Sequence, residues 1–549
     1  MPIPVEPGWL SLLPPLVAIA FALIFREVVL SLFAGVWLGA LLLTGGDPLA
    51  ATLRSLDQHI VGAIAEDADH VSIIVFSMLL GGMVGVMSRS GGTRGIVEAL
   101  RPLATSARRG QFFAWLAGII IFFDDYANTL IVGTTMRPVT DRLRVSREKL
   151  AYIVDSTAAP MAAIAVISTW VGFEITLIGD NLRTAATQAT DPVLNAQLLA
   201  AADNPFNIFL HSIPYLFYPI FALVFVLLTV LMRREFGPMW HAEQRAMVRG
   251  EVMRPGSVPA ADLSSGTLEP PADRPHRWYY AGVPVLTVIA VTLIGMYATG
   301  SASLGAGDHS LLDIIGSADP FRTLIWGSAF GCFVAIAMAV AGRALRLAQA
   351  LEAWIDGMRA MFMAIVILVL AWSLGGITVE VGTGTYLSNT ISDALPLFAL
   401  PVLVFVVGAA ISFATGTSWG TMAILFPVVI PLAVAMGAGV GFGAGEDYSI
   451  LLGVISSVMA GAIFGDHCSP ISDTTIMSSM ASGCDHIDHV RTQLPYALMV
   501  AGVAMLVGDI PTSLGLSPFV SLPLGVLVMY LLLRSFGRST DFGEARPSV

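Results

Sequence analysis

Apolar runs of roughly 20 residues, the length a helix needs to cross a bilayer, recur between positions 9 and 533 and are separated by short polar stretches. Such runs take up nearly the whole chain. The pattern predicts an all-α integral membrane protein built as one large bundle, with little room for a soluble domain. Four of the runs are interrupted in the middle. Asp124, Asp125 and Asn128 break the run 112–136, and Ala-Thr-Gly-Thr-Ser-Trp-Gly at 414–420 breaks the run 395–436. The other two carry a polar cluster beside a proline, Asp155-Ser156-Thr157-Ala158-Ala159-Pro160 and Gly465-Asp466-His467-Cys468-Ser469-Pro470. A proline alone only kinks a helix. It does not call for Asp155, Asp466 or Asp473 in a region of low dielectric, so both segments are expected to be helices broken at mid-length.

Charge gives the runs a direction, because cytoplasmic loops carry the excess of Lys and Arg. Arg89, Arg94, Arg101, Arg108 and Arg109 mark one inner loop, Arg137, Arg142, Arg144, Arg147 and Lys149 a second, and the arginines between Arg233 and Arg277 a third. Asp47, Asp57, Glu66, Asp67 and Asp69 mark an outer loop, and further outer loops fall at 180–203, 308–319, 380–393 and 437–447. The run 112–136 then has both ends inside, and the run 395–436 has both ends outside. A single crossing cannot do that. Each is expected to be a re-entrant hairpin whose polar tip stops partway through the bilayer, where protein or a water-filled cavity satisfies its backbone.

Each hairpin closes on a proline, Pro138 and Pro427, and each precedes one of the broken helices. The two halves are oppositely oriented, and an inverted repeat with paired discontinuous helices points to a transporter whose site lies near the midplane. The expected boundaries are an extra span at 1–27 and a first repeat at 28–232, with its hairpin at about 111–138 and broken helix at about 150–178. A proline-rich stretch at 233–277 reads as a flexible cytoplasmic linker, followed by an extra span and outer loop at 278–320. The second repeat covers 321–514, with its hairpin at about 395–436 and broken helix at about 449–480, and a last span and tail cover 515–549. The total is about eleven transmembrane helices plus two re-entrant hairpins. Residues 1–8 lack a basic n-region and no cleavage pattern follows, so the run from Trp9 is expected to remain as a span.

Composition narrows the function. Only 12% of residues are charged, against about a quarter in a soluble domain. Asp and Glu (39) outnumber Lys and Arg (28), and the net charge of −11 argues against nucleic acid as a partner. Cys332, Cys468 and Cys484 are too few for a disulfide framework or a four-ligand zinc site and read as packed thiols. The chain has no G-x-x-x-x-G-K-[ST] loop for an ATP-driven pump and no TVGYG-like filter for a channel. Gly416-Thr417-Ser418-Trp419-Gly420 matches the G-x-S-x-G pattern of serine nucleophiles, which leaves an intramembrane serine protease with His467 as base as a remote alternative. Glycine with small hydroxyl residues is also what a re-entrant tip needs. Asp485-His486-Ile487-Asp488-His489 has metal-binding residue types, but no further ligand is near in sequence, and a solvated inner loop is expected.

The chemistry should sit where ionisable groups enter the membrane, since each costs roughly 2.5–3.5 kcal/mol there. Asp124 and Asp125 lie in the first hairpin, Asp155 on the first broken helix, and Asp466, His467 and Asp473 on the second. Sodium prefers oxygen ligands. The neighbours supply them: Asn128, Thr129, Ser156 and Thr157 in one half, and Thr415, Thr417, Ser418, Ser469, Ser472, Thr474 and Thr475 in the other. Burial favours a protonated carboxyl and a nearby cation favours the charged form, so one carboxylate can hold a proton or a sodium ion. That competition is the physical minimum for antiport. Asp155 and Asp466, beside the helix breaks, lead the candidates, followed by Asp125 and Asp124, and sodium is placed at Asp155, Asn128, Asp466 and Ser469. His467 can titrate near neutrality or serve structurally, and Asp473 can instead cap the helix after Pro470. No cofactor is expected; the partners are the lipid bilayer, sodium and protons. The absence of arginine or lysine runs at the tips and breaks favours a cation over a dianion such as malate.

The strings Phe122-Phe123-Asp124-Asp125-Tyr126-Ala127-Asn128 and Gly465-Asp466-His467-Cys468-Ser469-Pro470-Ile471-Ser472-Asp473-Thr474-Thr475 resemble the signature segments of the NhaC-type sodium/proton antiporter family. The similarity covers most of the chain, and the second string is specific. The resemblance implies membership of the larger ion-transporter superfamily, with substrate held between two hairpin tips and two unwound helices. It also implies a homodimer in the cell membrane that works by an elevator motion. Related NhaC-like proteins exchange organic acids such as malate and lactate while coupling to sodium and protons, so a small organic acid is the alternative substrate.

Overall fold

Backbone that cannot reach water must satisfy its hydrogen bonds within its own segment, and the apolar runs accordingly fold as helices. The computed structural model describes residues 8–25, 28–65, 68–189, 191–257, 276–305, 314, 318–383, 386, 396–438, 449–470 and 472–541. The longer helices in chain order begin with α1 (Leu13–Phe25), α2 (Val28–Leu43) and α3 (Ala68–Arg89). A helical pair follows, α4 (Ala107–Ile120) and α5 (Asp125–Arg142), then α6 (Arg147–Ile164), α7 (Val171–Gln188), α8 (Phe217–Met232) and α9 (Gly237–Arg249). The chain continues through α10 (Tyr279–Leu304), α11 (Pro320–Ala341), α12 (Leu347–Ala360) and α13 (Phe362–Glu380) to a second pair, α14 (Leu400–Thr415) and α15 (Ser418–Ala438). It ends with α16 (Ser449–Cys468), α17 (Asp473–Ser482), α18 (His486–Val503) and α19 (Pro518–Phe536).

Among the described residues nine helices are long and apolar enough to cross a membrane, and ten if the pair Pro205–Tyr215 and Phe217–Met232, bent by 48°, is one span. The chain is a multi-pass, all-α membrane protein. The count falls below the expected eleven because Trp9–Phe21 and Val29–Leu43 are short. In addition, α6 and α7 hold Arg147, Glu148, Lys149 and Asp155, and Glu174, Asp180 and Arg183, respectively. Two groups of helices pack among themselves. In one, α3 lies on α11 and α12, α10 on α11, and α2 on α1 and α13. In the other, α14 and α15 lie on α16, α5 on α6 and α17, and α8 on α6. The two groups meet along several helices: α7 lies against α15 as well as α3 and α13, α13 itself lies on α15, and α1 lies on α14.

The first pair doubles back. Ten residues of straight helix span roughly 15 Å, yet Asn128 Nδ2 donates to Gly118 O at 2.7 Å. The far ends of the pair return to one place, since Gln111 of α4 and Ser146, just after α5, both bond Glu243 of α9 at 3.0 and 2.8 Å. The second pair turns at Gly416, whose φ of 72° suits glycine. Its arms differ from those expected of a tip that stops partway: Leu397–Thr415 and Ser418–Gly437 are each long and apolar enough to cross alone.

The broken helices depart from each other. In the second half the interruption falls at 469–472 beside Pro470. In the first half α6 continues through Asp155 and Pro160, and the chain leaves the helix only at 165–170, so the expected break beside Asp155 is corrected. The reason lies in Ser168, whose Oγ donates to Ala162 O at 2.8 Å and accepts from the backbone N–H groups of Trp170 and Val171 at 3.1 and 3.3 Å. Those bonds close one helix end and open the next. A second correction concerns the linker. Of its described residues, Gly237–Arg249 form α9, an amphipathic helix that buries Met239, Ala242, Glu243 and Ala246. Just before it, the two-residue strand β1 (Arg234–Glu235) pairs antiparallel with β2 (Arg538–Ser539) in the C-terminal tail. The acidic stretches at 439–447 and 387–393, and the prolines between Pro259 and Pro275, lie outside the described residues.

Candidate functional site

The turn after α16 is lined with hydroxyl groups, and they close on a carboxylate. Asp466 is fully buried. Its Oδ1 accepts from Ser472 Oγ at 2.9 Å and its Oδ2 from Thr474 Oγ1. Its carbonyl accepts from Ser469 N at 3.1 Å and Thr475 Oγ1 at 3.2 Å. Ser472 also caps α17, its Oγ accepting from Thr475 N at 3.2 Å. The cap is therefore Ser472 rather than Asp473, whose side chain lies outside the described residues.

Asp155, from the other half of the chain, is equally buried and meets the same cluster. Its Oδ1 accepts from Ser478 Oγ at 3.0 Å, and its Oδ2 from Gln493 Nε2 at 2.5 Å and Thr475 Oγ1 at 3.3 Å. His489 Nε2 stands 3.9 Å from Oδ2. Thr475 thus faces both Asp155 Oδ2 and Asp466 O with one hydroxyl proton, which can serve only one acceptor at a time. A proton on Asp155, donated to Thr475, would let Thr475 serve Asp466. Gln493 adds a second tie by donating to His467 O at 2.8 Å, and His467 Nδ1 pairs with Tyr218 OH at 3.0 Å while its buried Nε2 has no partner among the described residues.

The first break is built differently. Asn128 Nδ2 faces Gly118 O, Ile121 O and Thr157 O at 2.7, 3.1 and 2.9 Å, fastening the turn of the first pair to α6 two residues past Asp155. The approach is close enough that a Cβ on Gly118 would lie 2.1 Å from Thr157 Oγ1. Phe123 O accepts from Thr169 N at 3.0 Å, so this turn also touches the break at 165–170. From the other side Trp419 packs on Trp170 and Phe173, with ring centroids 5.4 and 4.6 Å apart. Asp124 and Asp125 are buried here. Asn128 Oδ1, Thr129 Oγ1 and Thr169 Oγ1 are buried with no partner among the described residues.

Of the residues expected at the site, the structure joins Asp155, Asp466 and Thr474 in one network and keeps Ser156, Thr157 and His467 buried on the same helices. It does not bring the second turn's hydroxyls to either aspartate. Thr415 Oγ1 donates to Ile411 O at 2.9 Å, Thr417 O accepts from Thr421 Oγ1 at 3.0 Å, and Ser418 Oγ is buried without a partner. Ser469 Oγ donates to Phe413 O at 2.7 Å. The expected sodium set of Asp155, Asn128, Asp466 and Ser469 therefore spans two neighbouring polar centres.

Three participants escaped the sequence reading: Ser478, His489 and Gln493. The stretch 485–489 is no solvated loop. Asp485 caps α18 by accepting from Ile487 N and Asp488 N at 3.0 and 3.2 Å, Asp488 pairs with Arg254 at 2.8 Å, and His489 is buried. The spacing of four between His489 and Gln493 puts both on one helix face and was the available signal. Among the described residues no cluster of His, Cys, Asp or Glu is placed to hold a metal ion, and the three cysteines are free and buried. Near the N-terminal end of α3 and the C-terminal halves of α7 and α13 a cavity of about 350 Å³ is lined by His59, His70, Asp180, Asn181, Trp372 and Glu380, among others. His70 is held there between Ala63 O at 2.5 Å and Asp180 Oδ2 at 2.8 Å.

Comparison with known proteins agrees with this architecture. An uncharacterised protein of Haemophilus influenzae is 33% identical over 95% of each chain. A Malate-2H(+)/Na(+)-lactate antiporter of Bacillus subtilis is 31% identical over 22% of this chain and 25% of its own. Among solved structures the YdaH transporter of Alcanivorax borkumensis shares the fold with a TM-score of 0.53, covering 85% of this chain and 90% of that one at 15% identity. Since the family model described as Na+/H+ antiporter family matches residues 161–508, a stretch that holds the break at 165–170 and Asp466 with its hydroxyl partners and begins just after Asp155, the chain belongs to that family of secondary transporters rather than to any family of enzymes.

Proposed function

We propose that the chain exchanges sodium for protons, with Asp155 and Asp466 binding either ion competitively. The observation that carries this reading is the hydroxyl of Thr475, which faces the carboxylate of Asp155 and the backbone carbonyl of Asp466, two fully buried aspartates from opposite halves of the chain. A carboxylate without a cation is costly at such a site, and a proton or a sodium ion removes the cost. Thr475 ties the Asp155 carboxylate to the backbone carbonyl of Asp466, whose own carboxylate is held by Ser472 and Thr474 of the same turn, so a change of occupancy at one aspartate bears on the setting of the other. The polar centre at Asn128, Thr129 and Thr169 supplies further oxygens for sodium. An elevator motion within a homodimer is part of this proposal.

A second reading is kept by the Bacillus subtilis relative, whose name describes exchange of malate and lactate with protons and sodium. In that case the same network couples a small organic acid to sodium and protons. Reconstitution in vesicles with an interior pH dye separates the two. Sodium alone should evoke a pH change under the first reading; a response that requires added malate or lactate replaces it with the second.

A further inference from the structure

Among the buried carboxylates outside the network described above, one stands apart. Glu174, in the first turn of α7 just past the break at 165–170, is fully buried, and neither of its oxygens has a partner among the described residues. Among the described residues it makes no ion pair, caps no helix and bonds no backbone, so it has no structural task of the usual kind there. Its neighbours along the helix are apolar, and Phe173 packs edge-on against Trp419. A carboxylate charge left there without a partner is costly, and a proton removes the cost. The positive N-terminal end of α7 lies on the same turn and favours the charged form. Sodium would need several oxygens arranged around it, and among the described residues no hydroxyl or amide bonds Glu174; a proton needs only the carboxyl itself.

Access follows from helix geometry. Leu177 and Asn181 both line the outer cavity of about 350 Å³, and they stand three and seven residues beyond Glu174 on the same face of α7. Glu174 therefore sits one turn below Leu177 and roughly 10 Å below Asn181 along the helix. The titratable and charged groups facing this stripe from the surrounding elements are His59, His70 on α3, Glu380 on α13, and Asp180 and Arg183 on α7 itself. All of these belong to the cavity rather than to the level of Glu174.

We propose that Glu174 is a proton-binding site of the transport cycle, filled and emptied from the outer face through the cavity that ends one turn above it. The proposal rests on the sodium/proton reading but assigns one proton to a residue outside the Asp155 and Asp466 network. The test uses the full chain in proteoliposomes, with radiolabelled sodium and an interior pH dye followed in parallel. Glu174→Gln should keep sodium-for-sodium exchange within about twofold of wild type while protons moved per sodium fall about tenfold or more, and Glu174→Asp should keep both. A wild-type proton-to-sodium ratio in Glu174→Gln overturns the assignment of Glu174 alone. A wild-type protein that moves no protons with sodium removes the antiport reading and this proposal with it. Should Glu174→Gln fail to fold, wild type treated with dicyclohexylcarbodiimide, which attacks protonated carboxyls in apolar surroundings, gives the answer. An adduct located at Glu174 by peptide mass spectrometry, weakening as outer pH rises, supports the proposal. Its absence at every pH overturns it.

Discussion

The two helix breaks solve one problem in opposite ways. At 469–472 the freed chain is saturated by its own hydroxyls, with Ser472, Thr474 and Thr475 all turned onto Asp466 and Asp155. At 165–170 closure comes from Ser168, from the turn of the first helical pair and from the rings of Trp170, Phe173 and Trp419, which leaves Asn128 Oδ1, Thr129 Oγ1 and Thr169 Oγ1 without partners. A fully bonded network is rigid and sensitive to the loss of any member. A centre with spare oxygens can take a cation without first breaking bonds. The difference implies that the second break fixes its aspartate through bonds, whereas the first, which also buries Asp124 and Asp125, offers spare oxygens for coordination.

Substitutions can break this contrast, the most damaging first. Asp466→Asn turns an amide N–H toward Ser472 and Thr474, and coupled exchange should fall about a hundredfold or more, roughly 2.7 kcal/mol, with expression unchanged. Full activity in vesicles would remove Asp466 from the site. Gly118→Val forces a side chain into Thr157 and should destabilise the protein by about 1–3 kcal/mol, seen as a lower melting temperature of the detergent-solubilised protein. Gln493→Leu strands Asp155 Oδ2 and His467 O together. Each lost bond to a buried acceptor costs about 1–3 kcal/mol, so sodium half-saturation should rise about tenfold.

Glu243→Gln tests the far end of the first helical pair, where Gln111 and Ser146 meet. Burial, with the nearby Glu235 adding to it, pushes the Glu243 carboxyl up to about 7, while its bonds from Ser146 pull the other way. Docked α9 therefore holds its proton more tightly than an undocked one. Docking is strongest below about 4.5, the free carboxyl value. It weakens as pH rises toward about 7 and is level above that, a span on the order of 3 kcal/mol. Hydrogen exchange across Gly237–Arg249 should quicken over that interval in wild type and stay flat in the variant. Smallest of all, Thr169→Val should change stability by less than about 0.5 kcal/mol while weakening sodium binding. A melting temperature several degrees lower would show that the hydroxyl has a structural partner, and the contrast between the breaks would be lost.

Much of this plan was readable from residue types alone. Basic residues at both ends of 112–136 announced a chain that returns to its own side, and Gln111 and Ser146 do meet at Glu243. Pro470 beside Asp466 marked the second break. Pro160 misled, because a helix tolerates a proline when its neighbours hold it, and the first break was set instead by Ser168, a residue with no distinctive local signal. Glu174 was passed over because it stands alone rather than in a polar string. The helix at Gly237–Arg249 was hidden by the prolines that follow it, although Met239, Ala242, Glu243 and Ala246 recur at helical spacing.

The short pairing of β1 with β2 reaches further than its length. Arg234 Nη1 donates to Arg534 O and Gly537 O at 2.8 and 2.7 Å, and Trp240 Nε1 to Ser539 O at 3.1 Å, so the end of the chain is clasped beneath α9. The next residue, Glu235, binds Lys149 at 2.8 Å and also Tyr496, and Lys149 stands at the foot of the helix that carries Asp155. A purification tag or fluorescent fusion joined close behind Ser539 would therefore pull on the start of α6, and a reporter meant to leave transport undisturbed belongs elsewhere on the molecule.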